Sequence, residues 1–174
     1  MTPEFSRTIA LSEIGTGPSH HQLEVSEDER TALIHRFGLR SLSVLSAACT
    51  VHRDGDSIWV KGQWHGAAEQ PCVVTGQPVK EVHNAPLDIR FIADTPHAPD
   101  TEIELDADDC DTMFHDGRMI DLGEAVAQSL ALALNPFPRC SDAGDLLKAA
   151  GVKGESDVGP FGALAGLRDK LGGN

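Results

Sequence analysis

The turn Cys72-Val73-Val74-Thr75-Gly76-Gln77 is where this chain places a nucleophile. A cysteine attacks electrophiles or ligates metals once it is a thiolate. Gly76 can supply the positive backbone angle a tight turn needs there. A metal site at Cys72 would need His83, Cys110 or His115 to converge on it. The spacing from Cys110 to His115 matches no recognised ligand pair. A Cys–His enzyme would need a low-pKa thiol beside an imidazole and an oxyanion pocket, and no local signature marks one. Most of the histidines (His20, His21, His52, His65, His83, His97) fall on segments expected to be wet. Glu102, Glu104, Asp106 and Asp108 have the oxygen ligands of a divalent-cation site without the order of a calcium loop, so a solvated acidic loop is expected. There is no phosphate-binding Gly-rich loop ending in Lys, no dinucleotide fingerprint and no His-Glu-x-x-His. The expectation is a non-enzymatic protein without cofactor or metal, in which Cys72 is a small, partly buried side chain in a turn. The alternative is a metal- or thiol-dependent enzyme using Cys72.

Charge narrows the partners. The chain has 174 residues and a formal net charge of −13, with 14 Lys and Arg scattered along it. Binding nucleic acid through phosphates requires clustered cations that displace counterions, so direct RNA contact is disfavoured. No apolar run approaches the ~20 residues that span a bilayer. The N-terminus lacks a charged-then-apolar signal organisation. Cys49, Cys72, Cys110 and Cys140 lie far apart, unlike a secreted disulfide framework. A cytoplasmic protein is expected; its oligomeric state is open.

The elements that must position these residues read as α+β. Phe5 to Leu11 reads as a strand, His21 to Val25 as another. Ser26-Glu27-Asp28-Glu29 is a capping box opening a helix that Gly38 stops. Ser41 to His52, the Asp54-Gly55 turn and the alternation Ile58, Val60, Gly62, Trp64 predict a hairpin with one buried face, with Gly62 and Gly66 marking a bulge or bend. Val79 to Ile92 is a third long strand that Pro86 assigns to an edge or a kink. Asp94 to Asp111 carries eight carboxylates and no Lys or Arg, part of it a one-face-wet strand through Ile103 and Leu105 and the rest a mobile loop. Asp121 caps a second helix, with Glu124 reaching back to its amide as in a capping box. Leu122, Val126, Leu130 and Leu134, widened by Ala125, Leu132 and Ala133, bury most of its circumference, and Asn135-Pro136 ends it. The expected architecture is an antiparallel curved sheet or partial barrel with two helices in a single domain over 1–140. Residues 141–174 are expected to be a Gly-rich, flexible and largely disordered tail. In it Phe161, Leu164, Leu167 and Leu171 recur at helical steps and can form a short amphipathic helix.

Three segments carry a family resemblance: Gly117 to Arg139 with its Ile-Asp-Leu-Gly-Glu helix start and Pro-Phe-Pro exit, the Cys72 to Val79 turn, and Pro160 to Arg168 in the tail. In order and spacing they resemble the YceD-like large ribosomal RNA subunit accumulation proteins of bacteria and plastids, over about Phe5 to Arg168. Many members resemble half of a zinc ribbon at the Cys turn, with Cys, two residues, then Cys. Here the second position is Thr75, not a usual zinc ligand, so the departure argues against a metal central to the fold. The resemblance implies a factor supporting large-subunit ribosomal RNA accumulation in ribosome biogenesis. With the acidic charge, it implies protein contacts with a basic ribosomal protein or assembly factor. Phe161, Leu164 and Leu167 are the candidate partner-binding stripe, and Cys72, Thr75 and Gly76 the candidate functional turn.

Overall fold

The structure is a computed structural model that describes residues 3–94 and 111–152. The acidic segment with Glu102, Glu104, Asp106 and Asp108, and with it His97 and Cys110, lies outside the described residues. So does the tail stripe of Phe161, Leu164, Leu167 and Leu171.

The elements follow in the order β1 (Thr8–Ala10), a 3-10 turn (Leu11–Glu13), β2 (Ser19–Glu24), α1 (Glu27–Phe37), β3 (Ser41–Asp54), β4 (Ser57–Pro71), β5 (Pro78–Ala93), β6 (Asp111–His115), β7 (Met119–Asp121), α2 (Leu122–Ala133) and α3 (Ala143–Ala149). The capping box of α1 forms as its spacing predicts. The Glu29 amide donates to Ser26 Oγ at 3.4 Å, and the Ser26 amide donates to Glu29 Oε2 at 2.8 Å. Gly38 ends the helix at φ 63°, a left-handed angle that favours glycine.

β3 and β4 pair antiparallel from Asp54↔Ser57 back to Ser41↔Glu69, around a turn in which Gly55 takes φ 57°. The predicted alternation holds. Ile58, Val60 and Trp64 are buried, and Lys61 and Gln63 are exposed. The glycines of β4 do not make a bulge; the register slips instead on β3, between Leu42 and Val44. Gly62 has a different purpose. A Cβ there would lie 2.1 Å from the Ala48 carbonyl oxygen and 2.6 Å from Cys49 Cα, so only glycine admits the neighbouring backbone at this approach.

The main sheet runs β2-β3-β4-β5-β6, and β1 pairs with β7 in a separate two-stranded sheet. The fold is α+β with an open main sheet, not a closed barrel. It departs from an all-antiparallel expectation at one place, because β6 runs parallel to β5, Ile89↔Asp111 through Ala93↔His115. A parallel neighbour requires a connection long enough to return the chain. Residues 95–110 supply that length. Among the described residues the pairing with β6 begins at Ile89, three residues beyond Pro86.

The core lies between the sheet and α2. Phe5, Leu33, Leu45, Val51, Ile58, Val60, Leu87, Phe91, Ile120, Val126 and Leu130 are essentially inaccessible. Asp121 caps α2 through its side chain, accepting from the Gly123 and Glu124 amides at 3.0 and 3.2 Å. The reciprocal half of the expected box is absent. The Glu124 carboxylate instead pairs bidentately with Arg36 (2.8 and 2.7 Å) and accepts from Gln128. A guanidinium fork outcompetes a single backbone amide for a carboxylate. Asp121 also accepts from Ser6 Oγ (2.6 Å) and from the Arg7 amide (2.8 Å), tying the N-terminal segment to α2. α2 is less enclosed than its composition predicts. Leu122, Ala125, Val126, Ala127 and Leu130 are buried, but Leu132 is 80% exposed.

The described chain divides into two compact units, one of residues up to Gln70 with Lys80–Pro136, the other of Pro71–Val79 with the chain from Phe137 onward. The Cys72 turn therefore groups with the segment after α2. Within the stretch expected to be unstructured, α3 forms, with Ala143 fully buried. It is a short third helix beside the two expected. Among the described residues no helix is long and apolar enough to cross a membrane.

Candidate functional site

The turn between β4 and β5 is built by the backbone. The Gly76 amide donates to the Cys72 carbonyl at 2.8 Å, and the Cys72 amide to the Gln77 carbonyl at 2.7 Å. Gly76 takes φ 72°, the positive angle expected of it. The Thr75 hydroxyl accepts from the Gln77 amide at 3.2 Å and stiffens the same turn. After α2, the Pro136-Phe137-Pro138 exit brings the chain alongside. The Val73 amide donates to the Pro138 carbonyl at 2.9 Å.

That ladder delivers Cys140. Its Sγ lies 3.4 Å from Cys72 Sγ with the thiol directed at it, and its amide donates to Cys72 Sγ at 3.3 Å. Thr75 Oγ1 is 3.2 Å from Cys140 Sγ. Cys72 is 3% exposed, whereas Cys140 is partly open to solvent. Burial pushes the Cys72 thiol up, but hydrogen bonds from the Thr75 side chain and the Cys140, Val74 and Thr75 amides outweigh it and bring the thiol down to about 6. Donors aimed at a sulfur stabilise the thiolate over the thiol. Cys49 shows the opposite case, since burial alone pushes its thiol up to about 11.

The two histidines that a metal site at Cys72 would need have partners of their own. His83 lies on β5, stacks on Trp64 with ring centroids 6.0 Å apart, and has Nε2 3.2 Å from Glu81. His115 ends β6 and accepts the Gly117 amide through Nδ1. Cys110 lies outside the described residues. Cys140 is the partner that sequence reasoning missed. Its 68-residue separation from Cys72 follows no ligand spacing, and the one signal was the Pro-Phe-Pro exit placed just before it.

A zinc-ribbon site would close four nitrogen or sulfur ligands around the ion. The donors gathered here are two sulfurs and the hydroxyl of Thr75, a set that does not fit structural zinc. Among the described residues no group of three or more His, Cys, Asp or Glu side chains gathers elsewhere. What the arrangement can do is hold one proton between two sulfurs, one ionised near neutral pH and the other within reach of solvent.

The family model described as large ribosomal RNA subunit accumulation protein YceD matches residues 60–168, more than half of the chain. No curated protein and no solved structure matches it.

Proposed function

Because this chain belongs to the YceD family, whose name ties it to accumulation of large-subunit ribosomal RNA, we propose that it supports large-subunit biogenesis as a non-enzymatic factor acting through protein contacts. The family match carries the reading, and the disposition of charge supports protein rather than RNA as the direct contact. The chain is acidic by 13 charges. Several of its described cations already face a carboxylate. Arg7 pairs with Glu29, Arg30 with Glu27, Arg36 with Glu4 and Glu124, Lys61 with Asp88, and Lys80 with Glu69. Arg53 donates to the Leu11 and Ile14 carbonyls. Cations held this way are poorly placed to displace counterions from a phosphate backbone. A basic ribosomal protein or assembly factor is the complementary partner. The tail with Phe161, Leu164 and Leu167 is the proposed docking stripe, folding on its partner.

Deleting the gene is expected to lower large-subunit relative to small-subunit ribosomal RNA, read on sucrose gradients at several temperatures; unchanged profiles would overturn the reading. Ultraviolet crosslinking in cells is expected to yield no protein–RNA adduct, and a strong RNA adduct would move the contact to RNA. A chain ending at Asp157 should keep its melting temperature and lose association with precursor particles. The second reading, a thiol-dependent enzyme, is favoured by the lowered Cys72 thiol. The partners of that thiol are backbone amides, Thr75 and Cys140, none of which is a general base. Cys72→Ala is expected to retain cellular function, and loss of function in a folded variant would favour the enzyme.

A further inference from the structure

Cys72 and Cys140 are separated by 68 residues, yet four contacts pin them together. These are the sulfur–sulfur contact at 3.4 Å, the Cys140 amide on Cys72 Sγ, Thr75 Oγ1 on Cys140 Sγ, and the Val73–Pro138 backbone bond. The two backbones are held where the sulfurs are already neighbours, and a disulfide needs them at about 2.05 Å. Exposure differs between the two. Solvent reaches Cys140, while Cys72 is 3% exposed and screened from a small oxidant. No third sulfur or imidazole completes a metal site around the pair among the described residues.

We propose that Cys72 and Cys140 are a reversible oxidation site for small peroxides, with Cys140 oxidised first and Cys72 resolving it into an intramolecular disulfide. In the first step the Cys140 thiol, directed at Cys72, passes its proton to the Cys72 thiolate, and the Cys140 thiolate so formed attacks one peroxide oxygen and breaks the O–O bond. The departing oxygen takes up the solvent proton that the pair had earlier released, leaving a sulfenic acid and one water or alcohol. In the second, the Cys72 thiolate attacks the Cys140 sulfur and expels hydroxide. That hydroxide takes up the proton released when Cys72 ionised again and leaves as water. Two thiols and one peroxide become one disulfide, one water and one water or alcohol. A dithiol reductant returns two electrons and two protons and restores the pair. The lowered Cys72 thiol supplies the attacking thiolate at neutral pH. Oxidation ties the segment after the Pro-Phe-Pro exit covalently to the turn, a constraint that reduction releases. The proposal is independent of the ribosomal reading, since it concerns purified protein and asks for no partner.

The experiment uses the full chain, reduced, freed of reductant and treated with stoichiometric hydrogen peroxide. Non-reducing tryptic mass spectrometry should find peptides 62–80 and 140–148 joined, with the mass of two hydrogen atoms lost and two of the 4 thiols no longer titratable. Dithiothreitol should reverse both changes. Dimedone, which traps sulfenic acid, should label Cys140 strongly in Cys72→Ser and little in the parent. Cys140→Ser should form no disulfide at Cys72, and Cys49→Ser should behave as the parent. If Cys72→Ser fails to fold, the linkage found in the parent decides. A dominant disulfide to Cys49 or Cys110, equal dimedone labelling of Cys140 in the parent and Cys72→Ser, or stoichiometric zinc that blocks oxidation would each overturn the proposal.

Discussion

Leu130 and Leu132 are two residues apart on α2 and chemically identical, so replacing each by alanine isolates burial from composition. Leu130 is 0% exposed within the core cluster, and its Cδ1 would sit 3.2 Å from a Cβ placed at Gly66 of β4. Leu132 is 80% exposed. Leu130→Ala removes buried methyl groups and leaves a cavity whose walls are a strand and a helix, with little freedom to collapse. Such truncations cost about 2–5 kcal/mol. Domain stability is on the order of 5–15 kcal/mol. For a chain of this size each kcal/mol shifts the melting temperature by roughly 2–4 °C, so a fall of about 6–12 °C is expected for a cost near 3 kcal/mol. Leu132→Ala should change stability by less than about 0.5 kcal/mol, as surface substitutions do. Leu130→Asp should give little soluble protein, because an uncompensated buried charge costs several kcal/mol. Urea titrations and thermal scans of the three variants against the parent read all of this. Comparable losses for the two alanine variants, or a Leu130→Asp protein that melts like the parent, would refute the burial assigned to this helix and turn its face into an exposed surface.

Gly62→Ala forces a Cβ to within 2.1 Å of the Ala48 carbonyl oxygen, so strands β3 and β4 must separate; a loss of about 1–3 kcal/mol is expected by denaturation, with Gly17→Ala, where nothing lies within 4 Å, as the silent control. The Arg7 guanidinium holds the Glu29 carboxyl down at about 2, against its ordinary 4.5. A lowered carboxyl pKa stabilises the fold above the unfolded value and loses that contribution as pH falls through the folded one. Glu29→Gln should therefore be less stable than the parent at pH 7, by about 1 kcal/mol since Arg7 is partly exposed, and the difference should shrink between pH 4.5 and 2 in parallel melts. Thr75→Val removes the side-chain donor to Cys72, so the pH midpoint of the thiolate absorbance near 240 nm should rise from about 6 towards the ordinary thiol range, and an unmoved midpoint would remove Thr75 from that role.

Much of this fold is legible in local chemistry. Ser26 and Glu29 cap α1, Gly38 and Gly55 take positive angles, and β3 and β4 alternate between buried and wet faces. Each of these depends on neighbours within a few residues, where side-chain type and spacing decide the geometry. Glu124 shows the limit of such reading. Its spacing from Asp121 predicts a local amide partner, yet it goes to Arg36, 88 residues away, because a guanidinium there offers two charged donors. Leu132 reads as part of the same apolar stripe as Leu130, but exposure depends on which neighbours cover each position, and a periodicity does not encode that.

The chain order of residues determines the elements, the acidic charge, the Cys72 turn and the family to which the protein belongs. Tertiary structure alone decides that β6 returns parallel to β5, that Gly62 serves a close approach of strands, and that Cys140 meets Cys72. The physical reason is common to all three. Local spacing constrains groups that share a turn or a face, whereas partners tens of residues apart are set by where packed elements bring the backbone, and a thiol's acidity follows from the amides and hydroxyls delivered to it there.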